Sequence, residues 1–102
     1  MKFAADLKPG KRYRISYFVK GEGIRALSRR GGAQAVVWFN EAADVAKVVP
    51  NVGLDGTFDW VCQTAEVAVP AKLRCDFRPE VDLRMFFATG TAYFDGLLVE
   101  EL

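Results

Sequence analysis

From Arg12 to Lys20 the chain alternates strictly: Tyr13, Ile15, Tyr17 and Val19 fall on one parity, and Arg12, Arg14, Ser16, Phe18 and Lys20 on the other. A period of two belongs to a β-strand with one face in a core and the other toward water; a helical stripe needs apolar residues three and four apart. Ahead of it, Lys8-Pro9-Gly10-Lys11 offers the fixed φ of proline and the positive φ of glycine, so a tight turn should deliver the strand near Lys11.

The same period recurs downstream. Ala33, Ala35, Val37 and Phe39 alternate with Gln34, Val36, Trp38 and Asn40; Val61, Ala65, Val67 and Val69 alternate with Trp60, Cys62, Thr64 and Glu66. Val81, Leu83, Met85 and Phe87 alternate with Asp82, Arg84, Phe86 and Ala88. Thr89-Gly90-Thr91 reads as a turn into a last strand, Ala92–Glu100, whose parity breaks at Asp95-Gly96 as at a bulge.

Between these runs, residues 21–32 hold four glycines and three arginines without a period and read as an exposed loop. Residues 41–47 fit either a short capped helix running to about Val48 or a loop into a strand at Val45–Val49, with Pro50 ending either one and Asn51–Gly56 as a connection. Leu73–Phe77 is a shorter strand candidate before Pro79. Six or so short strands punctuated by turn residues argue an all-β fold, a sandwich or a barrel. At 102 residues and 51% apolar content there is material for one core, so residues 1–102 form a single domain.

The chemistry on offer is limited. Without histidine there is no Ser-His or Cys-His pair, Ser16 and Ser28 have no base nearby in sequence, and the thirteen carboxylates are distributed without a setting that singles one out. We expect no enzyme. Two cysteines, Cys62 and Cys75, are too few for a metal site and fit either one disulfide or two buried thiols. A net charge of +1 gives no field to recruit nucleic acid or an anionic membrane. The longest apolar run, Ala35–Phe39, is far short of the roughly 20 residues of a spanning helix, and Met1–Asp6 show no apolar signal core.

The aromatic residues on the polar parity are more informative. Phe18 stands among Arg14, Ser16 and Lys20, Trp38 between Gln34 and Asn40, and Phe86 beside Arg84. A flat ring among hydrogen-bonding side chains suits a ligand with an apolar face and a polar rim, of which a sugar is one; it equally suits a face covered by other protein. Arg25, Arg29 and Arg30 form either a solvated basic loop or an anion contact.

Several strings resemble a known family. Leu7–Gly21, LKPGKRYRISYFVKG, is similar to the strand that reads close to LKPGKTYTLSFYVKG in carbohydrate-binding modules of families four, nine and twenty-two. VVWFN at Val36–Asn40, GTFDW at Gly56–Trp60 and GTAYFDGLLVEEL at Gly90–Leu102 resemble later segments in the same order. The resemblance implies an all-β jelly-roll-like β-sandwich of two antiparallel sheets that binds a polysaccharide or oligosaccharide without cleaving it, usually as part of a longer secreted chain that carries a glycoside hydrolase. On that reading Trp38 stacks on a sugar ring, Gln34, Asn40 and Arg84 hydrogen-bond its hydroxyls, and Phe18 and Phe86 extend the surface. The resemblance also implies a structural calcium ion held in part by Asp95, with Gly96 where the family has a second Asp, and a buried Trp60.

Family members carry further strands ahead of the Leu7–Gly21 segment. Without them, neighbouring strands would keep an unpaired edge, which proteins relieve by association, so a homodimer is expected. The second reading of function is therefore a β-sandwich that serves assembly without binding sugar. In either case Tyr13, Ile15, Tyr17, Val37, Phe39, Val67, Leu83, Met85, Phe87 and Phe94 should form the core alongside Trp60.

Overall fold

The computed structural model describes residues 2–40, 46–71 and 77–102, with backbone alone for residues 40, 46–52 and 77–78. Among the described residues seven strands follow one another: β1 (Lys2–Ala4), β2 (Arg12–Ala26), β3 (Gly32–Asn40), β4 (Ala46–Leu54), β5 (Gly56–Ala68), β6 (Phe77–Phe86) and β7 (Ala88–Glu101). No helix occurs among the described residues. One sheet has the order β1-β6-β3-β4, the other β5-β2-β7, and every pairing is antiparallel, so the chain is an all-β sandwich. The pairs β2–β7 and β3–β6 are nested, as if one long hairpin had been rolled up.

The alternation read in β2 sets the core. Tyr13, Ile15, Tyr17 and Val19 are buried and meet Ala33, Ala35, Val37 and Phe39 of β3, Val67 of β5 and Val81 and Leu83 of β6; Met85 and Phe94 pack against this group while partly exposed. Tyr17 lies at its centre, its ring 6.0 Å from that of Phe94 and its hydroxyl hydrogen-bonded to the Ala35 backbone. Burial pushes its phenol well above the ordinary range, because a phenolate there would lose its hydration.

Several expectations are corrected, most by bulges and positive-φ positions. β2 does not stop at Gly21 but continues to Ala26 through two register shifts, and the loop shrinks to the few residues before β3. The glycines there serve close approach: the ring of Phe58 occupies the space where a Gly21 β-carbon would stand. Gly90, expected in a turn, is inside β7, and a β-carbon on it would run into the Gly23 carbonyl of the neighbouring strand. β4 passes through Pro50 to Leu54, which an edge strand tolerates because an outward-facing position needs no N–H donor. Ala46 and Lys47 belong to this strand, whereas residues 41–45 of the alternative helical turn, like residues 73–76 of the shorter strand candidate, lie outside the described residues.

Two expected core residues are exposed. Val19 pairs with Val61 and Gly21 with Phe58, so Asp59 and Trp60 together face Lys20; the extra residue turns Phe58 inward and leaves Trp60 outward, 46% exposed. Phe87, 62% exposed, sits at φ 39° in the bend between β6 and β7, where the alternation of Val81, Leu83 and Met85 ends.

Candidate functional site

The register of β3 with β6 places Gln34 beside Arg84, Val36 beside Asp82 and Trp38 beside Glu80 on the face away from the core. Gln34, Trp38, Arg84 and Phe86 are thus brought together as the sequence suggested. They are occupied with one another. Arg84 donates from Nε and Nη2 to Gln34 Oε1 at 3.3 and 3.2 Å, and Gln34 Nε2 donates to the Arg30 carbonyl at 3.3 Å. The Arg84 guanidinium also lies 4.7 Å from the Phe86 ring centroid and 5.8 Å from that of Trp38. Gln34 is only 1% exposed, and Trp38 Nε1 is buried with no hydrogen-bond partner among the described residues. The Gln34 amide and the Arg84 guanidinium are thus engaged with one another within this cluster. Asn40 follows Trp38 by two positions in β3, and its side chain lies outside the described residues.

Phe18 is on the other sheet. It pairs with Cys62 of β5 and Asp95 of β7, and the next row outward on the same face is Trp60, Lys20 and Tyr93. The row on the other side is Thr64, Ser16 and Leu98, followed by Glu66, Arg14 and Glu100. Phe18, Trp60 and Tyr93 are 45%, 46% and 44% exposed, so three rings stand half out of water on three adjacent strands. Strand spacing puts the Trp60 and Tyr93 positions about 10 Å apart, with Phe18 one row below on the strand between. Hydrogen-bonding groups surround them: the Tyr93 hydroxyl donates to Glu22 Oε2 at 3.5 Å, Ser16 and Thr64 share a hydroxyl bond of 3.1 Å, and Arg12 and Arg14 pair with Glu66.

Sequence reasoning placed only Phe18 of these three rings at a site. Trp60 shares the outward parity of Cys62 and Thr64, but the family resemblance, which implies a buried tryptophan at that position, placed it in the core. Tyr93 shares the outward parity of Asp95, a signal that was open to reading.

Asp95 is exposed and its Oδ1 accepts the Gly96 N–H at 2.8 Å, closing a local bend. Among the described residues no three His, Cys, Asp or Glu side chains gather where they could hold a metal ion. Cys62 is a free, exposed thiol beside Phe18, not a buried or bridged one; Cys75 lies outside the described residues. Arg25, Arg29 and Arg30 are exposed, around the end of β2.

A cavity of ≈ 580 Å³ runs beside β7, with Phe3, Leu83, Phe94 and Leu97 among its lining. Its walls include residues from both faces of β7, inward Ala92 and Phe94 and outward Tyr93 and Asp95, together with Trp60 of β5. No helix among the described residues is long and apolar enough to cross a membrane. No protein-family model matches the chain, and no curated protein sequence matches it either.

Proposed function

We propose that the chain is a non-catalytic carbohydrate-binding domain whose contact surface is the outer face of the β5-β2-β7 sheet. The observation that carries this reading is the set of Phe18, Trp60 and Tyr93, each close to half exposed on neighbouring strands. A contiguous apolar patch ringed by polar groups is costly to leave in water and marks a binding surface. Pyranose rings present C–H faces to aromatic planes and hydroxyls at their rims, where Lys20, Glu22, Asp95, Ser16 and Thr64 supply both donors and acceptors.

The resemblance of Leu7–Gly21 and Gly90–Leu102 to carbohydrate-binding modules supports the same class, and with it the expectation of a secreted chain acting beside a glycoside hydrolase. Single-stranded nucleic acid also stacks on rings, but the carboxylates of Glu22, Asp59 and Asp95 around this patch oppose a phosphate backbone. Relative to the sequence-based expectation, the sugar contact moves from Trp38 and Arg84 to Trp60 and Tyr93, with Phe18 common to both.

Retention of the purified chain on a panel of insoluble polysaccharides tests the reading. At least one polysaccharide should retain the parent, and Trp60→Ala and Tyr93→Ala should each release it with an unchanged melting temperature. Retention that survives the loss of both rings would remove this face from consideration.

A further inference from the structure

Three connections meet at one end of the sandwich: residues 27–31 between β2 and β3, Asp55 between β4 and β5, and Phe87 between β6 and β7. The pairings of Ala26 with Ala88, Gly32 with Phe86 and Ala33 with Leu54 set them side by side. Leu27 N–H donates to the Phe87 carbonyl at 2.7 Å, Gly31 N–H closes a turn on the Ser28 carbonyl at 3.1 Å, and Gly53 N–H reaches the Arg30 carbonyl at 3.3 Å. Gly31 sits so close to the Phe86 and Phe87 carbonyls that a β-carbon would collide with them. Backbone contacts hold this tip together, which leaves its side chains to face outward.

Those side chains are unlike the rest of the surface. Among the described residues Leu27 and Phe87 are the two most exposed large apolar side chains, at 64% and 62%, and one backbone hydrogen bond joins them. Phe87 holds a φ of 39°, costly for a bulky residue where glycine would stand without strain. An exposed ring kept at a strained position serves neither core nor turn, and directs attention to a contact outside the chain. Arg25, Arg29 and Arg30 stand exposed around the pair, with no carboxylate at ion-pair distance among the described residues. Against Arg29 and Arg30, Asp55 is the one acidic residue in the three connections.

We infer that this tip docks on a bilayer containing anionic lipid, with Leu27 and Phe87 entering the interfacial layer and the arginines pairing with headgroup phosphates. Apolar side chains projecting from a turn and flanked by guanidinium groups match a surface that is anionic above and apolar beneath. Arg suits that role because its planar fork pairs with two phosphate oxygens at once. A protein partner fits less well: a stable interface buries roughly 800 Å² on each side, well beyond what two apolar side chains at a tip provide. With a net charge of only +1 the attraction is local, and the arginine cluster acts at contact range.

Tyr93 lies six positions beyond Phe87, roughly 20 Å at the rise of a strand, so a docked tip leaves the Phe18, Trp60 and Tyr93 face clear of the headgroups. The two surfaces are separate, and the docking does not rest on the sugar reading.

Flotation of the full chain with glycan-free vesicles tests this. Vesicles of phosphatidylcholine and phosphatidylserine in equal parts should float the parent, phosphatidylcholine alone should not, and added salt should weaken the binding. Phe87→Gly should lower the affinity about tenfold or more while keeping the parent's circular dichroism. Arg29→Glu with Arg30→Glu should lower it by about the same factor or more. Leu27→Trp puts an indole at the tip, whose emission should move to the blue on mixed vesicles and be quenched by brominated lipid, beyond the response of Trp38 and Trp60 in the parent. A parent that does not float overturns the inference. So does binding that Phe87→Gly leaves intact, because the arginines would then be holding lipid as they would any polyanion, an acidic protein included. If Phe87→Gly does not fold, Leu27→Trp decides alone, and an indole that neither shifts nor is quenched is the overturning result. Flotation of a chain that no polysaccharide retains would leave this inference standing while the sugar reading falls.

Discussion

Phe18 lies across Gly96: a β-carbon built on Gly96 would stand 3.0 Å from Cδ2 of the Phe18 ring. The glycine serves twice, since its φ of +62° is one that residues with side chains seldom adopt. Gly96→Ala should therefore destabilise the fold by about 1–2 kcal/mol through backbone strain and also lift the Phe18 ring from its seat. Urea denaturation and polysaccharide retention, measured on the same variant, should both decline.

The two tryptophans should respond in opposite ways. Trp60→Ala removes an outward ring and should change stability by less than about 1 kcal/mol while releasing the domain from glycan. Trp38→Ala removes a ring packed under Arg84 and should cost about 2 kcal/mol or more with retention preserved. Paired melting and pull-down data would expose a reversed assignment at once.

At the end of β6, Leu83 and Phe87 test the break in alternation. Leu83→Ala should cost about 2–5 kcal/mol as a buried aliphatic deletion. Phe87→Gly trades an edge contact with Phe86, centroids 4.7 Å apart, for relief of a positive φ, and the net should stay within about 1 kcal/mol. A loss at Phe87 as large as that at Leu83 would place it in the core after all.

Stability should fall in alkali through Tyr17. Its phenol titrates higher in the folded protein than in the unfolded chain, so the folded state holds the proton more tightly. That contribution is complete below about pH 10, the unfolded value, and is lost as pH rises beyond it. Tyr17→Phe should cost about 1 kcal/mol at neutral pH through the lost Ala35 bond and should make the alkaline decline shallower. Denaturant midpoints between pH 8 and pH 11 provide the measurement.

The strand faces of β2 and β3 were legible because alternation there is uninterrupted from Tyr13 to Val19 and from Ala33 to Phe39, and each parity meets one environment. Legibility ended at bulges. One extra residue inverts every position beyond it, so the continuation of β2 past Gly21 was taken for a loop; Trp60, which alternation from Val61 sets outward, was placed inward by the family resemblance alone. The cluster of Gln34, Trp38, Arg84 and Phe86 was found, but the bonds within it were not, because Arg84 reaches Gln34 from a strand 50 positions away. Alternation tells which side a residue faces; it carries no information about what already occupies that side.

The position of β2 within its sheet bears on how the chain comes off the ribosome. It is the middle strand, yet both of its partners are made later, and the pairing with β7 runs as far as Tyr13 with Glu101. Neither edge of this long apolar-faced strand can be satisfied locally, and the second waits for Glu101 to emerge. With its pairings so distant in sequence, the domain belongs among slow folders, in the millisecond-to-second range. For the interval of its own synthesis it presents an open β-template to chaperones, and to its neighbours on the same message.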